Sequence, residues 1–267
     1  MDYTARYGLE FNPFLKNSKD ILLETQEFKE LRFRLDYLLS TRGFGLLTGS
    51  PGKGKTTAIR NWVGSLNPSL YKVIYSSLST LTVMEFYRYL VTQLGGQPAH
   101  RKVENFRCIQ DEINRLVIEK RITPVIIMDE ANYISGGILN DLKLLFNFEM
   151  DSRDRAVILL AGLPHLNNTL RLGIHEPLRQ RIVMNYDLGG LSKEEGRSYI
   201  QTKLEGAGCH QNVFEGNALE AVLNAANGTP RLINKICNAS LLIGNSNHLD
   251  RITADAVMQA INDCELG

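Results

Sequence analysis

Eight consecutive residues, Gly49-Ser50-Pro51-Gly52-Lys53-Gly54-Lys55-Thr56, constrain the fold of this chain more than any other feature. They fit G-x-x-x-x-G-K-[ST] at every required position. A short apolar stretch, Phe44 to Leu47, precedes them, and a helix-compatible segment from Thr56 to about Ser65 follows. Strand, Gly-rich turn and helix in that order aim backbone amides at a phosphate on a helix N-terminus. Gly49 and Gly54 let the backbone wrap the phosphate, and Lys55 reaches the β- and γ-phosphates. The Thr56 hydroxyl can ligate Mg²⁺. Ser50, Pro51, Gly52, Lys53 and Thr57 complete the expected nucleotide-binding set.

The remaining pattern extends this unit. Lys72 to Tyr75, Val125 to Met128 and Val157 to Ala161 read as buried strands, with Val183-Met184 a shorter one. Helical spacing appears over 26–41, 82–94, 103–121 and 137–148. Apolar runs alternating with helices predict an α/β fold with a parallel sheet and crossover connections. After Gly189-Gly190 only helices are expected, over 192–207, 215–227, 230–244 and 253–264. Ser192 to Glu195 reads as a capping box, and Thr253 as the cap of the last helix. The expected division is therefore an α/β nucleotide-binding domain, 1–189, and a small all-helical lid domain, 190–267.

Composition narrows the class. The 267 residues are 43% hydrophobic and 22% charged, as in a soluble globular chain. Thirty basic against 29 acidic residues give a net charge of +1, which excludes a globally basic nucleic-acid coat but not a local patch. No apolar run approaches a membrane span, and the N-terminus lacks a signal core. Four scattered cysteines suit a reduced, cytoplasmic chain without a disulfide frame or zinc site.

The second chemical signal is the end of the third apolar run, Met128-Asp129-Glu130. Asp129 is expected beside Thr56, holding the metal, and Glu130 is expected to polarise the attacking water. Two carboxylates, a lysine, a hydroxyl and a metal suit phosphoryl transfer to water. No guanine-reading Asn-Lys-x-Asp occurs, which favours ATP.

With these residues in place, the chain resembles the AAA+ superfamily and, more narrowly, the ExeA-like ATPases. That set spans general secretion ATPases and the ATP-binding helper proteins of bacterial transposons. The resemblance also rests on Tyr7 to Phe14, Ala161 to Pro164, Leu178 to Ile182 and Gly228 to Asn234. It implies a parallel-sheet P-loop AAA+ core with a small C-terminal helical lid. It implies that Pro13 and Phe14 line the adenine pocket and that Arg231 reaches the γ-phosphate. It makes Arg179 and Arg181 alternatives for an arginine finger entering a neighbouring subunit. The fourth strand departs from the pattern: it ends Leu159-Leu160-Ala161-Gly162, without the usual polar sensor, so slow or partner-stimulated hydrolysis is expected. Asn167 and Asn168, further on, read as loop residues.

The resemblance carries two partner readings. As a transposition helper, the chain would form a ring or helical oligomer, about six subunits per turn, on duplex DNA and recruit or regulate a transposase. Arg88, His100, Arg101, Lys102 and Arg107 would then contact DNA phosphates without reading sequence. As a secretion-apparatus ATPase it would serve a membrane machine. Such relatives usually add a membrane helix and a cell-wall-binding domain, neither of which is seen here, so the transposition reading is placed first. A third reading is an ATP-dependent scaffold or switch that uses no DNA.

Overall fold

The structure is a computed structural model that describes residues 3–18, 21 and 23–265. All candidate site residues lie among them. In chain order the elements are α1 (Tyr3–Arg6), α2 (Gln26–Thr41), β1 (Gly43–Thr48), α3 (Lys55–Ser65) and β2 (Tyr71–Ser76). Next come α4 (Val83–Leu94), α5 (Lys102–Asn114), β3 (Thr123–Met128), α6 (Gly136–Leu145) and β4 (Val157–Gly162). The series continues with α7 (His165–Arg171), α8 (Glu176–Arg179), β5 (Ile182–Asp187), α9 (Lys193–Gly206), α10 (Gly216–Ala226), α11 (Pro230–Ser246) and α12 (Ala254–Glu265).

These elements form two compact units. One comprises Glu30–Pro51 and Lys55–Leu188; the other takes the described residues up to Lys29, Gly52–Gly54, and those from Gly189 onward. The grouping does not follow chain order as the expected domains 1–189 and 190–267 do. The N-terminal segment belongs with the helices of the second unit.

The first unit is built on a five-stranded parallel sheet in the order β2-β3-β4-β1-β5. Strands β1, β3 and β4 are buried along their whole length, which is why their sequences are continuously apolar rather than alternating. On one face Phe44, Ile126, Ile158 and Leu160 share a core with Phe86 and Leu90 of α4, Ile109 of α5 and Leu142 of α6. On the other face α2 lies so close to β1 that a Cβ at Gly45 would collide with Leu38 and stand 3.3 Å from Leu159. Trp62 of α3 is buried and donates its indole N–H to Asp36 of α2 at 2.9 Å, which fixes these two helices to each other.

Three expectations change here. The single helix over 103–121 ends as α5 at Asn114 and continues as a π-helical turn, Arg115–Glu119, where Lys120 N–H reaches Arg115 O at 3.2 Å. β5 is longer than Val183-Met184 because it is an edge strand, exposed at alternate residues, so its apolar signal is diluted. Asn167 and Asn168 belong to helix α7, not a loop.

The second unit packs Tyr7, Leu9 and Phe14 of the N-terminal segment into one core with residues of α9 to α12, among them Ile200, Val222, Ile233 and Val257. Its helix starts follow the expected chemistry. Ser192 and Glu195 form a reciprocal capping box, and Thr253 Oγ1 accepts the Ala256 N–H at 3.4 Å. Polar groups tether the N-terminal segment. Asn12 Nδ2 donates to Asn238 Oδ1 at 2.7 Å, Lys203 Nζ donates to Pro13 O at 2.9 Å, and Glu10 N–H donates to Ala207 O at 2.8 Å. Among the described residues, no helix is long and apolar enough to cross a membrane.

Candidate nucleotide-binding site

The parallel sheet brings its chemistry to one edge. Strand β4 lies between β1 and β3. The phosphate loop follows β1, the two acids follow β3, and both therefore leave the carboxyl edge, where open α/β sheets bind ligands. Gly52 and Gly54 hold φ of +78° and +104°, which side chains resist. A Cβ at Gly54 would meet nothing within 4 Å, so the loop is open on that side and the left-handed backbone is what demands glycine. Lys55 opens α3 and is buried, with Nζ donating to Gly49 O at 2.6 Å and Ser50 O at 3.2 Å. Thr56 Oγ1 donates to Asp129 Oδ2 at 2.8 Å. That bond joins the loop after β1 to the acids after β3.

Asp129 is held from every side. Tyr75 of β2 donates its phenol to Asp129 Oδ2 at 2.8 Å, and the Glu130 N–H donates to Oδ1 at 2.9 Å. Ser79 Oγ donates to the Asp129 carbonyl at 2.5 Å, while the Asp129 N–H donates to Ser76 O at 2.8 Å. Burial, reinforced by the bond to Asp129 and its charge, pushes the Tyr75 hydroxyl up, so it stays a donor. Glu130 is exposed and has φ +53°, a left-handed conformation that costs an acyclic side chain about 1–2 kcal/mol. Such strain persists where the surroundings over-determine it.

The residues fit a magnesium nucleotide. Among the described residues no group of three or more His, Cys, Asp or Glu could hold a metal alone. Mg²⁺ asks for less: one carboxylate, a hydroxyl and substrate phosphates suffice, and Asp129 and Thr56 would supply the protein's part.

The other candidates separate. Arg231 opens α11 in the second unit, where its N–H reaches Gly52 O at 3.4 Å and a Cβ on Gly52 would stand 2.8 Å from the Arg231 Cβ. Lys53 Nζ donates to Asn227 O at 2.9 Å. Phe14 is 4% exposed and its ring belongs to the helical core, so the geometry gives it a packing duty rather than an open base-stacking face. Pro13 is buried beside it and engaged through its carbonyl by Lys203.

Arg181, one of the two arginines offered as a finger, is engaged within its own chain. Its guanidinium donates to Lys143 O at 2.9 Å and Phe146 O at 3.0 Å, pairs with Asp154 at 3.1 Å and Asp151 at 3.2 Å, and lies over the Phe44 ring. These four partners hold the Arg181 guanidinium within its own chain. Arg179 is exposed, with only a 3.3 Å bond to Arg171 O and a 3.9 Å ion pair to Glu176. Lys102 is engaged too: it pairs with buried Asp141 at 2.5 Å and lies over the Tyr87 ring, so it serves the fold before any phosphate. Arg88, His100, Arg101 and Arg107 are exposed on α4, α5 and their connection.

Sequence reasoning missed Tyr75 and Ser79. Tyr75 stood inside an apolar run and read as a strand residue. Ser79 had no spacing to the acids, and only the pairing of β2 with β3 brings both to Asp129.

A five-stranded parallel sheet with this loop after β1, these acids after β3 and β4 between the two strands defines the P-loop ATPases of the AAA class. A family model described as AAA domain matches residues 37–170, half of the chain, and the chain belongs to that family. It is 32% identical over 247 residues to the general secretion pathway protein A of Aeromonas hydrophila, covering 90% of this chain and 44% of that protein. It thus spans less than half the length of that relative. The structure of Drosophila ORC bound to DNA matches with a TM-score of 0.73 at 16% identity, covering 98% of this chain and 65% of that one. Cdc6p from Pyrobaculum aerophilum matches with a TM-score of 0.67 at 15% identity, over 93% and 69% of the two chains. Those two likenesses show the fold.

Proposed function

We propose that this AAA ATPase binds ATP with Mg²⁺ and uses its hydrolysis to control assembly on duplex DNA, where it recruits or regulates a transposase. The observation that carries the ATPase reading is the 2.8 Å bond from Thr56 to Asp129, which links the phosphate loop to the acids at one sheet edge. Lys55, bonded to the loop's own carbonyls, exchanges them for the β- and γ-phosphates. Asp129 and Thr56 would hold the metal, which when bound would polarise the terminal phosphoryl group. Glu130, exposed beside Asp129, orients the attacking water and accepts its proton. Arg231, packed on Gly52, answers the charge held by the loop. Arg179, exposed and held by one long ion pair and one bond to Arg171 O, is the arginine offered to a neighbouring protomer's site, so hydrolysis depends on assembly.

The DNA reading is supported by the exposed basic residues Arg88, His100, Arg101 and Arg107, and by a likeness in fold to an assembly whose structure is bound to DNA. Such contacts position a protein on phosphates without selecting bases, and they weaken steeply with salt. The test is binding to random-sequence duplex DNA with ATP, with ADP and without nucleotide, at two salt concentrations, imaged by negative stain. ATP-dependent, salt-sensitive binding as rings or filaments is expected. The 32% identity to a general secretion pathway protein favours a second reading, a secretion-apparatus motor. Absence of DNA binding in every nucleotide state would favour this reading or that of an ATP-dependent scaffold that uses no DNA.

A further inference from the structure

We infer that Ser79 is a positioning residue for Glu130: its hydroxyl pins the peptide between Asp129 and Glu130 and so holds Glu130 in its left-handed conformation. The inference rests on the ATPase reading above and concerns a residue that reading does not use.

Two adjacent acids are set to different surroundings here. Asp129 is 3% exposed and accepts bonds from Thr56 and Tyr75, whereas Glu130 is exposed. The backbone makes the separation. Strand β3 ends at Met128, and a 3-10 turn, Ala131–Tyr133, starts directly after Glu130 with Ala131 buried. Glu130 carries the chain from strand to turn at φ +53° and ψ +36°. Glycine, and at times asparagine, enters this region freely, and glutamate does so at a cost. Neither of those residues can take a proton from water as a carboxylate does. The conformation is therefore imposed on Glu130 by its surroundings.

The peptide linking the two acids is held at both of its polar ends. Its N–H, that of Glu130, donates to Asp129 Oδ1 at 2.9 Å. Its carbonyl, that of Asp129, accepts the Ser79 hydroxyl at 2.5 Å. A peptide unit is planar, so holding its C=O and N–H together sets the plane about which Asp129 ψ and Glu130 φ turn. The first bond is local to the acids and moves with them. The second ties the plane to the connection between β2 and α4. Ser79 is itself firmly placed: it is 7% exposed and lies between two anchors. Before it, Ser76 O accepts the Asp129 N–H at 2.8 Å; after it, Thr82 and Glu85 form a reciprocal capping box that opens α4. The Glu130 side chain makes no capping bond to the turn that follows, so its carboxylate is not spent on that turn.

Two mutant cycles on the full chain test the pin. The first measures single-turnover hydrolysis and equilibrium ATP binding for Ser79→Ala, Glu130→Gln and the double variant. Ser79→Ala is expected to slow hydrolysis by about 10- to 100-fold, with ATP affinity within about twofold of the parent. In the Glu130→Gln background it should change hydrolysis by less than about twofold, because the hydroxyl acts through Glu130. The second cycle measures urea unfolding of Glu130→Gly and Glu130→Ala. Glycine suits a left-handed position, so Glu130→Gly should unfold at the higher urea concentration, and adding Ser79→Ala should narrow that difference. No slowing by Ser79→Ala, equal slowing in both backgrounds, a matching loss of ATP affinity, or a glycine advantage untouched by Ser79→Ala overturns the inference. A parent that hydrolyses no ATP overturns the ATPase reading itself, and the inference falls with it.

Discussion

The carboxyl edge of the sheet and the interior of the helical unit both bury polar groups, and they spend them differently. At the sheet edge, Tyr75, Thr56, Ser79 and the Glu130 N–H converge on a single residue, Asp129, and leave Asn132 Nδ2 unpaired. In the helical unit the polar contacts of the N-terminal segment are spread over separate partners: Asn12 donates to Asn238 and Tyr3, Lys203 donates to Pro13 O, and Cys209 donates to Tyr7 O. The first arrangement orients one carboxylate and leaves one amide donor unpaired. The second consumes its donors to hold the N-terminal segment, a short helix followed by turns, onto a helical core. Convergence on one side chain marks a site, whereas dispersed pairing marks a tether.

That contrast can be broken at several points. The largest effect is expected for Glu130→Gln: turnover should fall by about 10²- to 10⁴-fold while ATP binding persists, read by single-turnover hydrolysis beside equilibrium binding. Full turnover in this variant would remove Glu130 from the chemistry. Next, Arg181→Ala should destabilise the chain by about 2–3 kcal/mol in urea unfolding, because two carbonyls and two carboxylates lose their partner. Arg179→Ala should leave that curve in place and slow hydrolysis only at concentrations where the protein assembles. If both variants behave alike, the separation of the two arginines is mistaken.

Asn12→Ala tests the tether and should cost about 1–2 kcal/mol in the same unfolding measurement with nucleotide affinity unchanged. Tyr75→Phe is the smaller site perturbation. It removes one of the bonds on Asp129, and the Mg²⁺ concentration for half-maximal activity should rise by about three- to tenfold. A wild-type magnesium requirement would show that Thr56 and the Glu130 amide suffice to orient Asp129.

The smallest effect concerns His175, which is 4% exposed and lies 3.0 Å from Asn140 Oδ1 through Nδ1. Burial lowers its pKa below the ordinary histidine value of 6.5. The unfolded chain therefore takes up this proton more readily than the folded one. The contribution to stability is full above 6.5 and is lost as pH falls through the lower folded value. A shallow loss of thermal stability below that pH is expected, flattened in His175→Gln.

Much of the site was legible from spacing. Gly49 to Thr56 lies between an apolar run and a helix, and Asp129-Glu130 ends another apolar run, so short-range pattern sufficed. The core strands β1, β3 and β4 were legible because burial on both faces demands continuous apolar sequence. β5 was cut short because an edge strand mixes polar and apolar residues, and α5 was overextended because a π turn keeps a helical pattern past the α-helix end.

The sequence by itself determined the strand–loop–helix around Lys55, the acids after β3 and the helical character beyond Gly189, because each depends on residues adjacent in the chain. Only the tertiary structure decided the rest. It seated Tyr75 on Asp129, committed Arg181 and Lys102 to internal partners, placed Phe14 in a helical core and set Asn132 at the end of β4. Those outcomes depend on which strands pair and which side chains then fall within hydrogen-bond reach. Parallel pairing joins residues far apart in sequence, and no local pattern records it.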